Sequence, residues 1–360
     1  MCAWVLERTA SGRLIPIVRP ASDLFPGVGR IYSGTVANMV LHLKSWLSIP
    51  DQINQLRIRG MEIPDRDQAS HALKIIGYYR LSGYWYLYRE PHPTQKDQRL
   101  DDFLPGTQFT EILALYNFDS ALKGLIWRGI ERVEIAFRSR IGHLLGETGP
   151  LTHTDPGNFR TTFDHDKWWG TAKARINRAR GRDAAVDHHY DNYGGDIPLW
   201  VLTDLLDFSD VSKLYAGMTS PDQREIADWF GVTMADDASK ASRKSWNKHP
   251  PLANWLENLT TVRNICAHHG RLWNRQLIPL GTAPRVQHLP AFAEIAPTLK
   301  AARPETWQIE RVYGTICIIS QLLDHIEPRN TWRSEVDSLV ATAFPASGYR
   351  GTFEMGFPST

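Results

Sequence analysis

PLANWLENLTTVRNICAHH, residues 251–269, sets the fold class of this chain and carries its most distinctive chemistry. Leu252, Trp255, Leu259, Val262 and Cys266 recur at spacings of three and four, so they form one stripe of an amphipathic helix that has to be buried against other elements. The far end of the stretch carries Arg263, Asn264, His268 and His269, and it continues as Gly270-Arg271-Leu-Trp-Asn-Arg275. Arginine can hold a phosphodiester through two N–H groups and offset the charge that builds during attack, and histidine exchanges protons near neutral pH. RNA brings its own nucleophile, the 2′-hydroxyl, so its cleavage calls for these groups and for no metal or other cofactor. The competing reading treats Arg, Asn and His at a helix end as caps and surface groups favoured by the helix dipole.

Helical geometry adds a constraint. Arg263 and His269 border the apolar stripe on opposite sides. His268 faces away from the core, with Asn264 one turn before it and placed to orient it. Arg263 and His268 are about 140° apart on an ideal helix, so one helix does not easily bring them together. Three resolutions are open: the arginine side chain curls round, the helix loosens before Gly270, or a second copy of the helix completes the site across a dimer seam. A continued helix would add Arg271 and Arg275 to the His268 face, whereas Gly270 favours an end there.

The 360 residues allow one large domain or two smaller ones. Apolar content of 42% and charged content of 22% describe a globular chain, and a net charge of +2 means that any nucleic-acid surface is a local patch. Three cysteines, Cys2, Cys266 and Cys317, are too few and too scattered for a disulfide framework or a structural zinc site. No apolar run has the length of a membrane span or a signal segment, so the expectation is a cytoplasmic protein with no membrane partner.

Residues 1–36 are rich in Pro, Gly and Ser and read as an irregular lead-in, with Met39 as a second possible start. An N-terminal helical unit is expected over 37–105, with Asp51 and Asp65 as N-caps and a polar boundary at 91–106. Within it Tyr79, Arg80 and Trp85 belong to an aromatic and arginine cluster that either stacks unpaired RNA bases or forms a core. The main helical domain spans 106–330 and opens with a long helix, Phe109–Glu147, whose stripe includes Ile130, Val133, Phe137, Ile141 and Leu144. Glu134 and Arg138 flank that stripe, either as a plain ion pair or as charges supporting a site across the helix pair. Arg138 and His143 repeat the Arg-x4-His spacing weakly.

Residues 148–198 read as a basic insertion. Lys173, Arg175, Arg178 and Arg180, beside Trp168 and Trp169, make either a phosphate-tracking surface or a solvated basic helix. His153, His165, His188 and His189 complete no known ligand set, so no metal is assigned. After Pro198 one helix is expected over LWVLTDLLDFSDVSKLYAGM, then a second capped by Ser220, a loop over 232–250, another over 280–304, a helix near 310–326, and a C-terminal tail over 331–360 with a short helical signal. No strand-period run, fixed repeat, P-loop, GxGxxG or HExxH is found, which points to an all-α fold.

The motifs occur in a recognisable order: Asp51-Gln-Ile53, Arg59-Gly-Met61, Gly77-Tyr-Tyr-Arg-Leu-Ser-Gly-Tyr-Trp85, Tyr116-Asn-Phe-Asp119, Ile130-Glu-Arg-Val-Glu134, Pro198-Leu-Trp200, and Val262-Arg-Asn-Ile-Cys-Ala-His-His269 with Arg271-Leu-Trp-Asn-Arg275. Over roughly residues 50–335 the chain resembles the bacterial abortive-infection Abi-like proteins of the AbiD/AbiF type, within the HEPN superfamily. It departs at Phe208-Ser209, where Phe-Gly is expected. The resemblance implies a HEPN-type helical bundle with a small N-terminal helical unit, and an Arg-x4-6-His motif that cuts RNA without metal in a site shared by two HEPN units. Carried over, Arg263 contacts the phosphate, Asn264 is the polar residue after it, and His268 or His269 moves the proton. The implied setting is a phage-defence or toxin–antitoxin endoribonuclease, a homodimer whose RNA partner is a substrate or a small noncoding RNA antitoxin. The alternative is a non-catalytic RNA-binding protein on the same fold.

Overall fold

A computed structural model describes residues 2–8, 14–20, 45–96, 98–248, 250–281, 286–294 and 309–358. The chain divides into two compact units, Met1–Leu47 and Ser48–Thr360. In the first, β1 (Cys2–Arg8) and β2 (Leu14–Pro20) pair antiparallel, Cys2 opposite Pro20 and Arg8 opposite Leu14. These segments correct the expectation of an irregular lead-in. Trp4, Val5, Ile15, Ile17 and Val18 are aromatic or β-branched and favour strands, but the runs are short and set among Pro and Gly. The rest of that lead-in, and Met39, lie outside the described residues.

The second unit runs α1 (Ile49–Ile58), α2 (Arg66–Ile75), α3 (Tyr78–Trp85), the small hairpin β3 (Arg89–Pro91) and β4 (Arg99–Phe103), and then α4 (Phe109–Glu147). It continues with α5 (His165–Ala179), α6 (Ala184–Asn192), α7 (Leu199–Leu205), α8 (Phe208–Gly217), α9 (Ser220–Trp229), α10 (Lys240–Lys248), α11 (Pro251–Ala267), α12 (Val312–Ile326) and α13 (Trp332–Ala343). Apart from the hairpin the described residues of this unit are all-α in class, and no described helix is long and apolar enough to cross a membrane.

Helix α4 is the spine because its apolar positions continue at helical period over its whole length: Leu115, Leu122, Ile126, Ile130, Val133, Phe137 and Ile141 are all buried. Around it pack α3, α7, α8, α11, α12 and α13. At Gly129 a Cβ would stand 2.6 Å from Ile319 Cγ2 and 2.8 Å from the Trp332 ring, so the missing side chain is what lets α12 and α13 close on the spine. The Trp332 indole N–H then donates to Leu125 O at 2.7 Å. Helix α11 runs antiparallel to α4, since Arg263 lies by Glu134 while Gly270, further along, meets Lys123.

Several local expectations are revised. The single helix after Pro198 is two helices, broken at Leu206–Asp207, where Asp207 and Asp210 form a reciprocal capping box. Ser48 rather than Asp51 caps α1, and Thr219 rather than Ser220 caps α9. In each case the earlier hydroxyl accepts the N–H three residues on. Asp65 caps α2 by accepting from Gln68 N at 2.8 Å. The loop expected at 232–250 contains α10, whose one buried residue, Trp246, is too little apolar signal to show a period. The polar boundary at 91–106 holds β4 and so contradicts the absence of strands. Residues 148–198 carry α5 and α6, and α5 seats Trp168, Ala172 and Ile176 against α7 and α8. Most of the 280–304 loop lies outside the described residues.

Under α5, His153 is fully buried with its ring 5.2 Å from Trp169, and neither ring nitrogen has a partner among the described residues. Burial, with help from the nearby His165, lowers its pKa from 6.5 to about 4. The unfolded chain therefore binds the proton more tightly. The stability this group contributes is complete above pH 6.5 and is lost as pH falls from 6.5 toward 4, to an extent of roughly 3 kcal/mol. Urea unfolding across that window should show the loss, and His153→Leu should flatten the slope; an unchanged slope in the variant would assign it to other groups.

Candidate functional site

Helix α11 stops at Ala267 by a backbone device. Gly270 N–H donates to Ile265 O at 2.8 Å and His269 N–H to Cys266 O at 3.0 Å, the two bonds of a Schellman motif, with His269 in the left-handed region at φ 54°. That position usually belongs to glycine, although His, Asn and Asp enter it more readily than other side chains. The left-handed residue is thus His269 and not its neighbour Gly270. Because the helix ends here, Arg271 and Arg275 do not continue the His268 face.

Two cations from other helices cover the carbonyls this turn exposes. Arg80 of α3 donates to His269 O at 2.6 Å, and Lys123 of α4 to Gly270 O at 3.1 Å. Lys123 also lies 3.2 Å from Asp119, a carboxylate with no solvent exposure. Asp119 accepts from Trp273 N–H at 2.7 Å, Leu272 N–H at 3.2 Å and Tyr84 O–H at 2.7 Å. Burial, reinforced by the Asp119 charge, raises the Tyr84 pKa and keeps the phenol a donor. Arg271 points inward onto Gly83 O, and burial lowers its pKa. Sequence reasoning passed over Asp119 and Lys123 as site-builders. A signal was present: Asp119 occupies a stripe position between Leu115 and Leu122, where a carboxylate must be paired.

Arg263 lies over Trp127, its Cζ 5.1 Å from the ring centroid, with Nε 4.0 Å from Glu134 Oε2. Glu134 also pairs with Arg138, which donates to Thr203 O. Asn264 and His268 are exposed, and the link between them is the backbone bond from His268 N–H to Asn264 O at 3.0 Å. Among the described residues neither the His268 nor the His269 imidazole makes a hydrogen bond. Arg263 therefore faces α4, while His268 stands on the solvent side.

A cavity of about 600 Å³ opens between α3, α4 and the end of α11, lined by Arg80, Tyr116, Lys123, Trp127, Ala267 and His269 among others. It brings Arg80 to His269 and leaves Asn264 and His268 outside. The Cys266 thiol on its wall is pushed up to about 12, mainly by burial, and stays protonated. Arg138 and His143 line a separate cavity of about 820 Å³ between α4 and α7.

Of the two readings for Trp85, an RNA-binding ring or a core ring, burial selects the core: it is fully buried and packs edge-on against Tyr78 at 4.8 Å. Tyr79 is 92% exposed. The basic run on α5 is split: Arg175 is held by Asp207 and Asp210, Lys173 lies 5.8 Å from the Trp169 ring and Arg180 4.3 Å from Tyr190, while Arg178 is exposed. Arg275 is exposed beside Gly270. Among the described residues no group of three or more His, Cys, Asp or Glu side chains is arranged for a metal ion.

Two substitutions separate scaffold from chemistry here. Asp119→Ala strands Lys123 and two backbone N–H groups in the interior and should cost roughly 3–5 kcal/mol in urea unfolding; a loss under about 1 kcal/mol would deny Asp119 its organising part. His269→Gly relieves the left-handed strain and should raise stability by about 1 kcal/mol. A lower stability in that variant would mean that the imidazole itself holds the turn.

Comparison with curated proteins and with solved structures gives no match. A family model described as Abi-like protein matches residues 71–274, from the middle of α2 through Trp273 and Asn274 beyond α11. That span is more than half of the chain and takes in α3, the spine and the α11 end together, and on this match the chain belongs to the Abi-like protein family.

Proposed function

We propose that this Abi-like protein is a HEPN-type endoribonuclease of a bacterial phage-defence or toxin–antitoxin system. Membership of the Abi-like family supports the abortive-infection setting. The observation that carries the chemistry is that the α11 end is capped without the histidine side chains: backbone bonds close the helix and Arg80 and Lys123 cover the turn beyond it, so among the described residues the His268 and His269 imidazoles make no hydrogen bond, which a capping role does not explain.

In the proposed reaction an imidazole of His268 or His269 removes the 2′-hydroxyl proton, and O2′ attacks the adjacent phosphorus. The P–O5′ bond breaks, and an imidazolium returns a proton to O5′. The products are a 2′,3′-cyclic phosphate and a 5′-hydroxyl. Arg263 offsets charge on the non-bridging oxygens, and Asn264 supports His268. The RNA supplies the nucleophile, so the reaction proceeds without a metal ion. Since Arg263 faces α4 and His268 faces solvent, the site is composite, with a second copy of the chain bringing its Arg263 to the first copy's His268. A gripping role without cleavage has one observation in its favour, the engagement of Arg263 by Trp127 and Glu134.

Incubating the protein with mixed RNA in EDTA tests this. Wild type should cut, and Arg263→Ala and His268→Ala should each lose at least roughly 100-fold. Mixing the two variants should restore part of the activity if the site is shared. Salt-dependent RNA affinity with no cleavage would select the gripping role instead.

A further inference from the structure

The cavity at the end of α11 holds chemistry that the cleavage motif does not use. Tyr116, Ser120, Gly124 and Trp127 follow one another at four, four and three along α4, with Lys123 beside Gly124, so they share one face of that helix and form one wall. Arg80 and His269 supply the opposite rim. No carboxylate is among the described residues lining it, and its volume of about 600 Å³ falls in the range of small-molecule sites. Lys123 is already neutralised by Asp119, so the charge open to a ligand is the Arg80 guanidinium at the rim, and concavity, exposed aromatic surface and that cation suit a planar ring joined to an anion.

The two aromatic rings are not equivalent. They are eleven residues apart on α4, about 16 Å, which is too far to sandwich one ring between them. Tyr116 is already engaged edge-on with the buried Tyr84 at 5.3 Å. Trp127 is 37% exposed, lines the cavity, and is steadied by Arg263, which stacks on it without lining the cavity. Gly124, one turn before it, leaves the neighbouring space open: a Cβ there would meet nothing within 4 Å. Arg80 spends one N–H on His269 O and has further donors to offer an anion.

We propose that this cavity is a subsite for one unpaired nucleotide of the RNA, with its base stacked on Trp127 and its phosphate met by Arg80 and His269. The inference rests on the reading of the protein as RNA-binding, and it names the substrate class as single-stranded. A base within a duplex is stacked between its neighbours and cannot lie on the Trp127 ring. Trp127 is thus a specificity residue, and the nucleotide it holds sets the register of the strand against the α11 end.

The test is equilibrium binding of adenosine 5′-monophosphate, inorganic phosphate, a short oligoadenylate and an RNA duplex to wild type, Trp127→Ala, Trp127→Phe and Gly124→Leu. Oligoadenylate should bind more tightly than duplex. Trp127→Ala should weaken the nucleotide and oligoadenylate by roughly 5- to 150-fold without changing phosphate binding, and Trp127→Phe should recover most of the loss. Gly124→Leu fills open space on an exposed helix face, so it should keep the thermal transition and still weaken the nucleotide. Equal oligoadenylate affinity in wild type and Trp127→Ala, or binding of phosphate alone, overturns the proposal. Cleavage that survives Trp127→Ala with an unchanged KM overturns the subsite and leaves the ribonuclease reading intact. Nucleotide binding lost in Trp127→Ala, in a wild type that cuts no RNA, keeps the subsite and removes the ribonuclease reading.

Discussion

The carboxylate of Asp119 is the interaction on which this architecture turns. It has no exposure, yet it accepts from a phenol on α3 and from two consecutive backbone N–H groups of the segment after α11, and it is ion-paired with an ammonium one turn along α4. A buried charge is tolerated only when it is paired and its lone pairs are filled, and here the filling comes from three separate parts of the chain. The position of Leu272 and Trp273 is therefore dictated from α4. Both residues are fully buried, and they add the apolar area that locks the segment down.

The chemical consequence is a division of labour at the helix end. A helix that stops must satisfy its last carbonyls. In this chain the backbone turn does so, and Arg80 of α3 and Lys123, paired with Asp119, cover the carbonyls of the turn that follows. The histidines are relieved of structural duty, and one of them sits in a backbone conformation that glycine would adopt more easily. A non-glycine residue at such a point suggests that its side chain is retained for something other than folding. The same cations that cover this turn also line the cavity beside Trp127, so scaffold and binding surface are built from one set of groups.

Periodicity made the long elements legible. The bounds of α4 were readable as Phe109 and Glu147 because sixteen buried positions repeat at helical spacing, and α11 and α12 were legible for the same reason. Short elements were not. The helix anchored by Trp246 alone and the hairpin at 89–103 carry too few apolar residues to establish a period, the runs at 2–8 and 14–20 are apolar without strict alternation, and the break at Leu206–Asp207 is hidden because apolar residues continue through it. Trp85 shows the limit of composition: an aromatic beside arginines reads the same whether it faces RNA or the core, and only packing against Tyr78 decides.

By itself the sequence determined the all-α class, the spine, and the clustering of Arg263, Asn264, His268 and His269 at one helix end, because spacing along a helix is a local property. It also set the conflict between Arg263 and His268, which is a matter of angle. Only the tertiary structure decided that the helix ends in a left-handed His269, that Arg271 and Trp85 turn inward, and that Arg80, Lys123 and Trp127 gather beside His269. Those outcomes depend on which donors reach Asp119 and the free carbonyls from distant parts of the chain, as Leu272 does from 153 residues away. No local pattern encodes a contact of that range.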